Sequence, residues 1–210
     1  MDFSNILQQL SIWALPVLAA VVLHELAHGY SAYLLGDSTA ARMGRLTLNP
    51  IAHVDLFGTI LLPVMLIISG SPFLFGYAKP VPVHFANLRN PRRDMVYVAA
   101  AGPIMNLILA GLSAFVLKFL FALQLIDDGL VAKGLLASVM INVVLAVFNL
   151  FPLPPLDGGR VATGLLPRQP ALALARLEPY GMLIVMLLLM TGFMGDILRP
   201  MTSLLLHALL

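Results

Sequence analysis

The strongest chemical signal in the chain is the run His24-Glu25-Leu26-Ala27-His28. Histidines at i and i+4 of a helix stand on one face about one turn apart, where two imidazole nitrogens can hold one Zn2+ with the intervening glutamate beside it. The run takes two of the five histidines, and its surroundings are apolar. Two imidazoles and a carboxylate inside an apolar helix are costly, and such groups usually have a task.

A catalytic zinc takes three protein ligands and keeps a position open for water. The candidates for the third ligand are Asp157, His53, Asp55, His84 and, by analogy with glutamate-ligated zincins, Glu178. Asp157 stands out through its flanks: Asn149-Leu150-Phe151-Pro152-Leu153-Pro154-Pro155-Leu156 before it and Gly158-Gly159 after it. Prolines stop a helix and glycines let the backbone turn sharply, so this carboxylate is expected at a helix end. The same position also suits the N-cap of a helix starting near Arg160.

The elements that must position these groups follow from composition. The 210 residues are 60% hydrophobic and 10% charged, against about 45–50% and about 25% in ordinary soluble domains. Twelve Lys and Arg with ten Asp and Glu cannot cover such a core, which excludes a soluble monomer and makes lipid the solvent. The absence of cysteine excludes disulfides, thiolate zinc sites, iron–sulfur clusters and a cysteine nucleophile. A net charge of +2 without a basic, aromatic-laced stripe argues against nucleic acid as a partner. No Lys or Arg precedes Arg42, so the first apolar stretch lacks the basic start of a cleaved signal and is expected to stay in the protein.

Stretches of the roughly 20 residues needed to cross a hydrocarbon core are expected at Ser11–Leu35, Met95–Leu123, Gly129–Phe151 and Tyr180–Gly195. Leu56–Ser69 is shorter and holds Pro63, while Ile197–Leu210 suits the interface. Gly36–Asn49, with alternating residues and Gly44, suits a hairpin. The expected fold is an all-α polytopic membrane protein with about four to six transmembrane or re-entrant helices and a small membrane-associated β-hairpin or extended segment. One domain over 1–210 is expected, with a catalytic core at about 11–160 and C-terminal helices at about 161–210. Basic residues gather in Arg42–Arg45, Lys79–Arg93 and Arg160–Arg176, which marks those loops as cytoplasmic. The first and third long stretches then run inward and Met95–Leu123 runs outward. Leu56–Ser69 must dip in and return with Pro72–Lys79, lying against protein or a wet cavity.

His24–His28 taken with Asn149–Gly159 resembles the site-2 protease family of intramembrane zinc metalloproteases, particularly its short sporulation-factor-processing branch without a PDZ insertion. Ala101-Gly102-Pro103-Ile104-Met105-Asn106 is similar to that family's middle-helix motif, and Gly76–Val83 sits where the family has an extended, membrane-embedded segment. The resemblance runs from about residue 20 to 160. It implies that His24, His28 and Asp157 bind one zinc and that Glu25 is the catalytic base. It also implies hydrolysis of a peptide bond within or near a transmembrane helix of a membrane-protein substrate, in a prokaryotic inner membrane with the site toward the cytoplasm. The oligomeric state stays open.

Asn149 is a candidate oxyanion donor or substrate-positioning group, with interhelical hydrogen bonding an equal alternative; for Asn106 and Asn142 the interhelical role is favoured. A substrate helix hides its carbonyls in its own hydrogen bonds and must unwind to be cut. Gly76, Tyr77 and Ala78, continuing to Val81, are expected to pair with it by strand addition, over a length limited by the prolines. His53 and Asp55 are candidates for gating water or protons, or else satisfy a local turn. The rival class is a membrane metal-ion transporter or channel, which needs ligands at several depths, whereas here they converge on one cluster.

Overall fold

The computed structural model describes residues 3–69 and 76–210. Helix α1 (Phe3–Leu34) leads into the single turn α2 (Thr39–Arg42), a 3-10 turn at Pro50–His53, and a π-helical turn at Leu56–Leu61 that continues as α3 (Leu62–Ile68). A stretch outside any helix or strand and a 3-10 turn at Phe85–Asn87 precede α4 (Pro91–Ala122) and α5 (Leu130–Asn149). Four shorter helices follow: α6 (Asp157–Leu165), α7 (Arg168–Ala175), α8 (Glu178–Met190) and α9 (Phe193–Leu209). The all-helical expectation holds among the described residues.

Helices α1, α4 and α5 are long and apolar enough to cross a membrane. A helix satisfies its own backbone groups, which is what a segment without water around it requires. At α4 the start is fixed locally: Pro91 occupies the first turn, where its missing N–H costs nothing, and the Asp94 carboxylate reaches back to the Asn90 N–H at 2.8 Å. The three helices pack on one another. Small residues make their contact, with Ala110 and Ala114 of α4 against Val139, Val143 and Val147 of α5, and leucines of α9 closing over them. Large apolar residues face out instead, Leu15 being 75% and Phe115 65% exposed. Small inside and bulky outside is the pattern of helices that meet in lipid.

Two expected elements differ. The β-hairpin over Gly36–Asn49 does not form; that stretch turns through α2, and no strand occurs among the described residues. The cause is Asp37, whose Oδ1 accepts from the Thr39 N–H and hydroxyl while Oδ2 accepts the His84 N–H, so local side-chain bonds displace cross-strand pairing. The expected span Tyr180–Gly195 is also broken. Gly192 takes φ 78° and turns the chain into α9, and α8 alone, 13 residues or about 20 Å, is too short to cross. With α7, to which it is bent by 70°, α8 could form a fourth, broken span. Three or four crossings match the expected four to six only roughly.

Leu56–Ser69 forms the π turn and α3, and much of its expected return limb, Pro72–Lys79, lies outside the described residues. Its two ends nonetheless meet: the Tyr77 N–H donates to the Gly58 carbonyl at 3.0 Å and the Thr59 hydroxyl donates to the Tyr77 carbonyl at 2.9 Å. Of the 18 residues between Gly58 and Tyr77, 7 belong to α3. Even if the other eleven were drawn out to full length, they and α3 would reach at most roughly 50 Å, less than the roughly 60 Å of a passage across and back. The segment is too short to cross and return.

Asp37 ties the exit of α1 to the approach to α4. Burial raises its carboxyl pKa, but hydrogen bonds from Thr39, Asn87 and the His84 main chain outweigh this and hold it at about 2, below the usual 3.8. A carboxyl held low in the folded state adds stability above its unfolded pKa and loses it as pH falls toward 2. Asp37→Asn should therefore lower the melting temperature in detergent by about 4 °C at pH 6, with the gap to wild type closing as pH drops from about 4 to 2. Thermal unfolding followed by circular dichroism across that range measures it; a gap independent of pH would contradict the assignment.

Candidate metal centre

His24 and His28 point from α1 toward α4, and each ring is held from behind. His24 Nδ1 donates to Asn106 Oδ1 at 2.6 Å and His28 Nδ1 donates to the Val98 carbonyl at 2.7 Å, both acceptors lying on α4. Since both Nδ1 atoms carry the protons, both Nε2 atoms present bare lone pairs, and they face each other at 3.0 Å. Gly102 makes this approach feasible, because a Cβ there would lie 2.4 Å from His28 Nε2 and 2.6 Å from His24 Nε2.

Asp157 arrives from the other side of the bundle. Helix α5 stops at Asn149, the proline-rich turn follows, and Asp157 opens α6. The chain folds so tightly here that a Cβ on Gly158 would sit 2.1 Å from the Leu150 carbonyl oxygen, and one on Gly159 2.1 Å from Pro154 N. The helix N-cap is Leu156, so Asp157 does not cap it. Its Oδ2 lies 3.2 Å from His24 Nε2 and 3.3 Å from His28 Nε2, buried and without a hydrogen-bond partner.

Three electron-rich atoms thus converge with no proton assigned among them, an arrangement that calls for a cation. The three ligand atoms lie within 4.8 Å of one another. A tetrahedral zinc with bonds of about 2.0–2.1 Å separates its ligand atoms by about 3.3 Å, close to the 3.0, 3.2 and 3.3 Å found here. Two imidazoles and a carboxylate are also a donor set that zinc accepts. The residues fit the ion.

Around this centre the other expected residues separate. Glu25, half-buried on α1, accepts the Val81 N–H on Oε2 at 2.7 Å. Asn106 donates from Nδ2 to the Ala20 carbonyl at 3.2 Å and to Asn142 Oδ1 at 2.8 Å, and Asn142 donates to the Ser138 carbonyl at 2.9 Å. The bonds of Asn106 to Ala20 of α1 and to Asn142 of α5 are the interhelical bonds expected of these two residues, with His24 as a further partner of Asn106, whereas the bond of Asn142 to Ser138 stays within α5. Asn149 donates to the Leu145 carbonyl of its own helix at 3.0 Å. His53 Nε2 donates to the Thr47 carbonyl at 2.9 Å, Asp55 accepts the Gly58 N–H at 2.7 Å, His84 gives its main-chain N–H to Asp37, and Glu178 pairs with Arg160 at 3.6 Å. None of these four belongs to a metal-binding group among the described residues.

Gly76–Val83 lies outside any helix or strand. The Tyr77 and Lys79 N–H groups donate to Gly58 and His53 carbonyls, at 3.0 and 2.9 Å, so one edge of this stretch is taken. Between them the N–H and carbonyl of Ala78 make no hydrogen bond among the described residues.

A family model described as Peptidase family M50 matches residues 12–132 and 122–192. The chain belongs to peptidase family M50. This is the site-2 protease family of intramembrane zinc metalloproteases. Within family M50 the chain is 39% identical over 191 residues to "Putative zinc metalloprotease YwhC" of Bacillus subtilis (strain 168), covering 89% of this chain and 84% of the relative. Two Rip2 proteins named in the same way are also similar. That of Mycolicibacterium smegmatis is 32% identical over 83% of this chain and 64% of its own length; that of Mycobacterium tuberculosis (strain Erdman) is 34% identical over 67% and 52%. No solved structure matches.

Proposed function

We propose that this chain is an intramembrane zinc metalloprotease that hydrolyses peptide bonds within or near a transmembrane segment of a membrane-protein substrate. His24, His28 and Asp157 hold the ion and Glu25 is the base. The observation that carries the reading is the meeting of three bare ligand atoms inside an apolar helix bundle, beside a carboxylate that is not one of them. Membership of family M50 and the names of the relatives agree with it.

Bound zinc supplies Lewis acidity, polarising a peptide carbonyl and acidifying water. Asn106 and the Val98 carbonyl keep both imidazoles in the tautomer that offers Nε2. Glu25 takes a proton from the attacking water and returns it to the leaving nitrogen. The large outward apolar side chains keep the bundle in lipid, where a substrate helix has to unwind before its carbonyl is reachable. The Ala78 N–H and carbonyl, unpaired among the described residues, suit pairing with the unwound strand, within a segment of Gly76, Tyr77 and Ala78 that the prolines after Lys79 keep short. Asn149 is the candidate donor to a developing oxyanion, a role for which it must give up its bond to the Leu145 carbonyl. The clustering of Lys and Arg in the loops supports a site toward the cytoplasmic face of an inner membrane, and the same reading takes the chain as one domain with its core at about 11–160.

Removing the metal tests the whole reading. Purified protein should cleave a single-span model peptide in detergent or liposomes, lose more than about 100-fold of that rate on zinc chelation, and regain it on stoichiometric zinc. Product analysis by mass spectrometry gives the result. Equal cleavage with and without metal would overturn the proposal.

A further inference from the structure

The carboxylate assigned as the base is held by a single peptide group. Glu25 Oε2 accepts the Val81 N–H at 2.7 Å, a charge-assisted bond across 56 residues of chain. Val81 stands between Pro80 and Pro82, neither of which has an N–H, so the stretch 80–82 carries one main-chain donor and a slip of one residue would present none. The Val81 side chain is buried, which fixes that register.

The other end of the same peptide group is also gripped. Arg45 Nη2 donates to the Pro80 carbonyl at 3.3 Å and to the Lys79 carbonyl at 3.1 Å. The Pro80 C=O and the Val81 N–H share one rigid plane. A guanidinium on the oxygen and a carboxylate on the N–H polarise this plane in the same sense, and each bond strengthens the other. One residue upstream the Lys79 N–H donates to the His53 carbonyl at 2.9 Å, which anchors the approach.

We propose that the Pro80–Val81 peptide group, clamped at its oxygen by Arg45, positions the Glu25 carboxylate and leaves Oε1 as the atom that takes the proton. Arg45 is then a positioning residue acting through the main chain, and the inference rests on the protease reading above. A glutamate side chain has three rotatable bonds, and a base that wanders from its place by about 1 Å forfeits about 100-fold in rate.

The test uses the full-length, zinc-loaded protein with Arg45→Met and Val81→Pro, a single-span model peptide, and deuterium uptake at the Val81 amide, the one exchangeable amide in 80–82. Both variants should bind zinc as the wild type does and keep KM within about twofold, while kcat falls about 100-fold. In Glu25→Ala the Val81 amide should exchange about tenfold faster or more, whatever the protein's activity. Should Val81→Pro fail to fold, as loss of bound zinc would reveal, Arg45→Met and the exchange measurement still decide. Wild-type kcat in Arg45→Met, or Val81 exchange indifferent to Glu25→Ala, overturns the proposal. A zinc-loaded wild type that cleaves no peptide overturns the protease reading instead, and the exchange measurement judges the Glu25–Val81 contact separately.

Discussion

Glu25→Gln is expected to lower peptide cleavage about 10³–10⁴-fold while the protein still binds one zinc per chain. Glutamine has the shape of glutamate, and its carbonyl oxygen can accept the Val81 N–H that Glu25 Oε2 accepts at 2.7 Å, so the stretch around Val81 stays in place. What disappears is the capacity to receive a proton from water and pass it to the leaving nitrogen. The ion itself is untouched, because the three candidate ligands are His24, His28 and Asp157. Cleavage of a model peptide and metal content, measured on one preparation, give the two numbers. The pairing of lost cleavage with retained zinc is specific to a protease. A scaffold that keeps metal for folding loses nothing on this substitution, and a metal transporter loses flux while releasing no peptide product in either form. Cleavage within a factor of about three of wild type would remove Glu25 from the role of base.

The parts of this site that could be read from the sequence are those in which one residue type at one spacing has few other uses. His24 and His28 are one helical turn apart, and Asp157 is flanked by prolines that end α5 and by glycines that the close passage to Leu150 and Pro154 demands. The contacts that orient these groups were not legible. Val81 reaches Glu25 through a main-chain N–H, which every residue except proline possesses, and only its place between Pro80 and Pro82 hints at a register. Asn106 lies 82 residues from His24. Choosing it over Asn142 or Asn149 as the histidine's partner requires the rotation of α4 about its axis. A helix that is apolar all round gives no periodicity from which to read that rotation. The spacing of Gly102 and Asn106, one turn apart on the face that meets the histidines, is the signal that was available.

The same limit explains the elements that differ. Alternation over Gly36–Asn49 suggested strands, but it cannot register that the Asp37 carboxylate gathers Thr39 and the His84 main chain from both sides. Hydropathy over Tyr180–Gly195 is continuous, yet the turn at Gly192 divides it. Hydropathy reports the solvent of a segment, whereas the length of a helix also depends on single residues that turn the backbone.

Asp157→Ala is expected to abolish zinc binding and cleavage together, with a loss of metal affinity well beyond the 10–100-fold that follows removal of an outer hydrogen-bond partner. The substitution takes away one of three ligands and leaves two imidazole Nε2 atoms 3.0 Å apart, fewer than a catalytic zinc needs. None of the other candidate ligands belongs to a metal-binding group among the described residues. Asp55 is occupied by the Gly58 N–H, Glu178 by Arg160, and His53 Nε2 by the Thr47 carbonyl. The fold should survive, since Leu156 and not Asp157 is the N-cap of α6 and Oδ2 makes no hydrogen bond within the protein. Circular dichroism therefore separates lost ligation from lost structure. Asp157→Asn keeps an oxygen at the same place without the full charge, so its zinc affinity should fall between the two. Metal analysis after dialysis against a graded chelator ranks the three proteins. Retention of full zinc by Asp157→Ala would move the third position to His53, His84 or Glu178 and would require the proline-rich turn after α5 to serve some purpose other than delivering a carboxylate to the paired histidines.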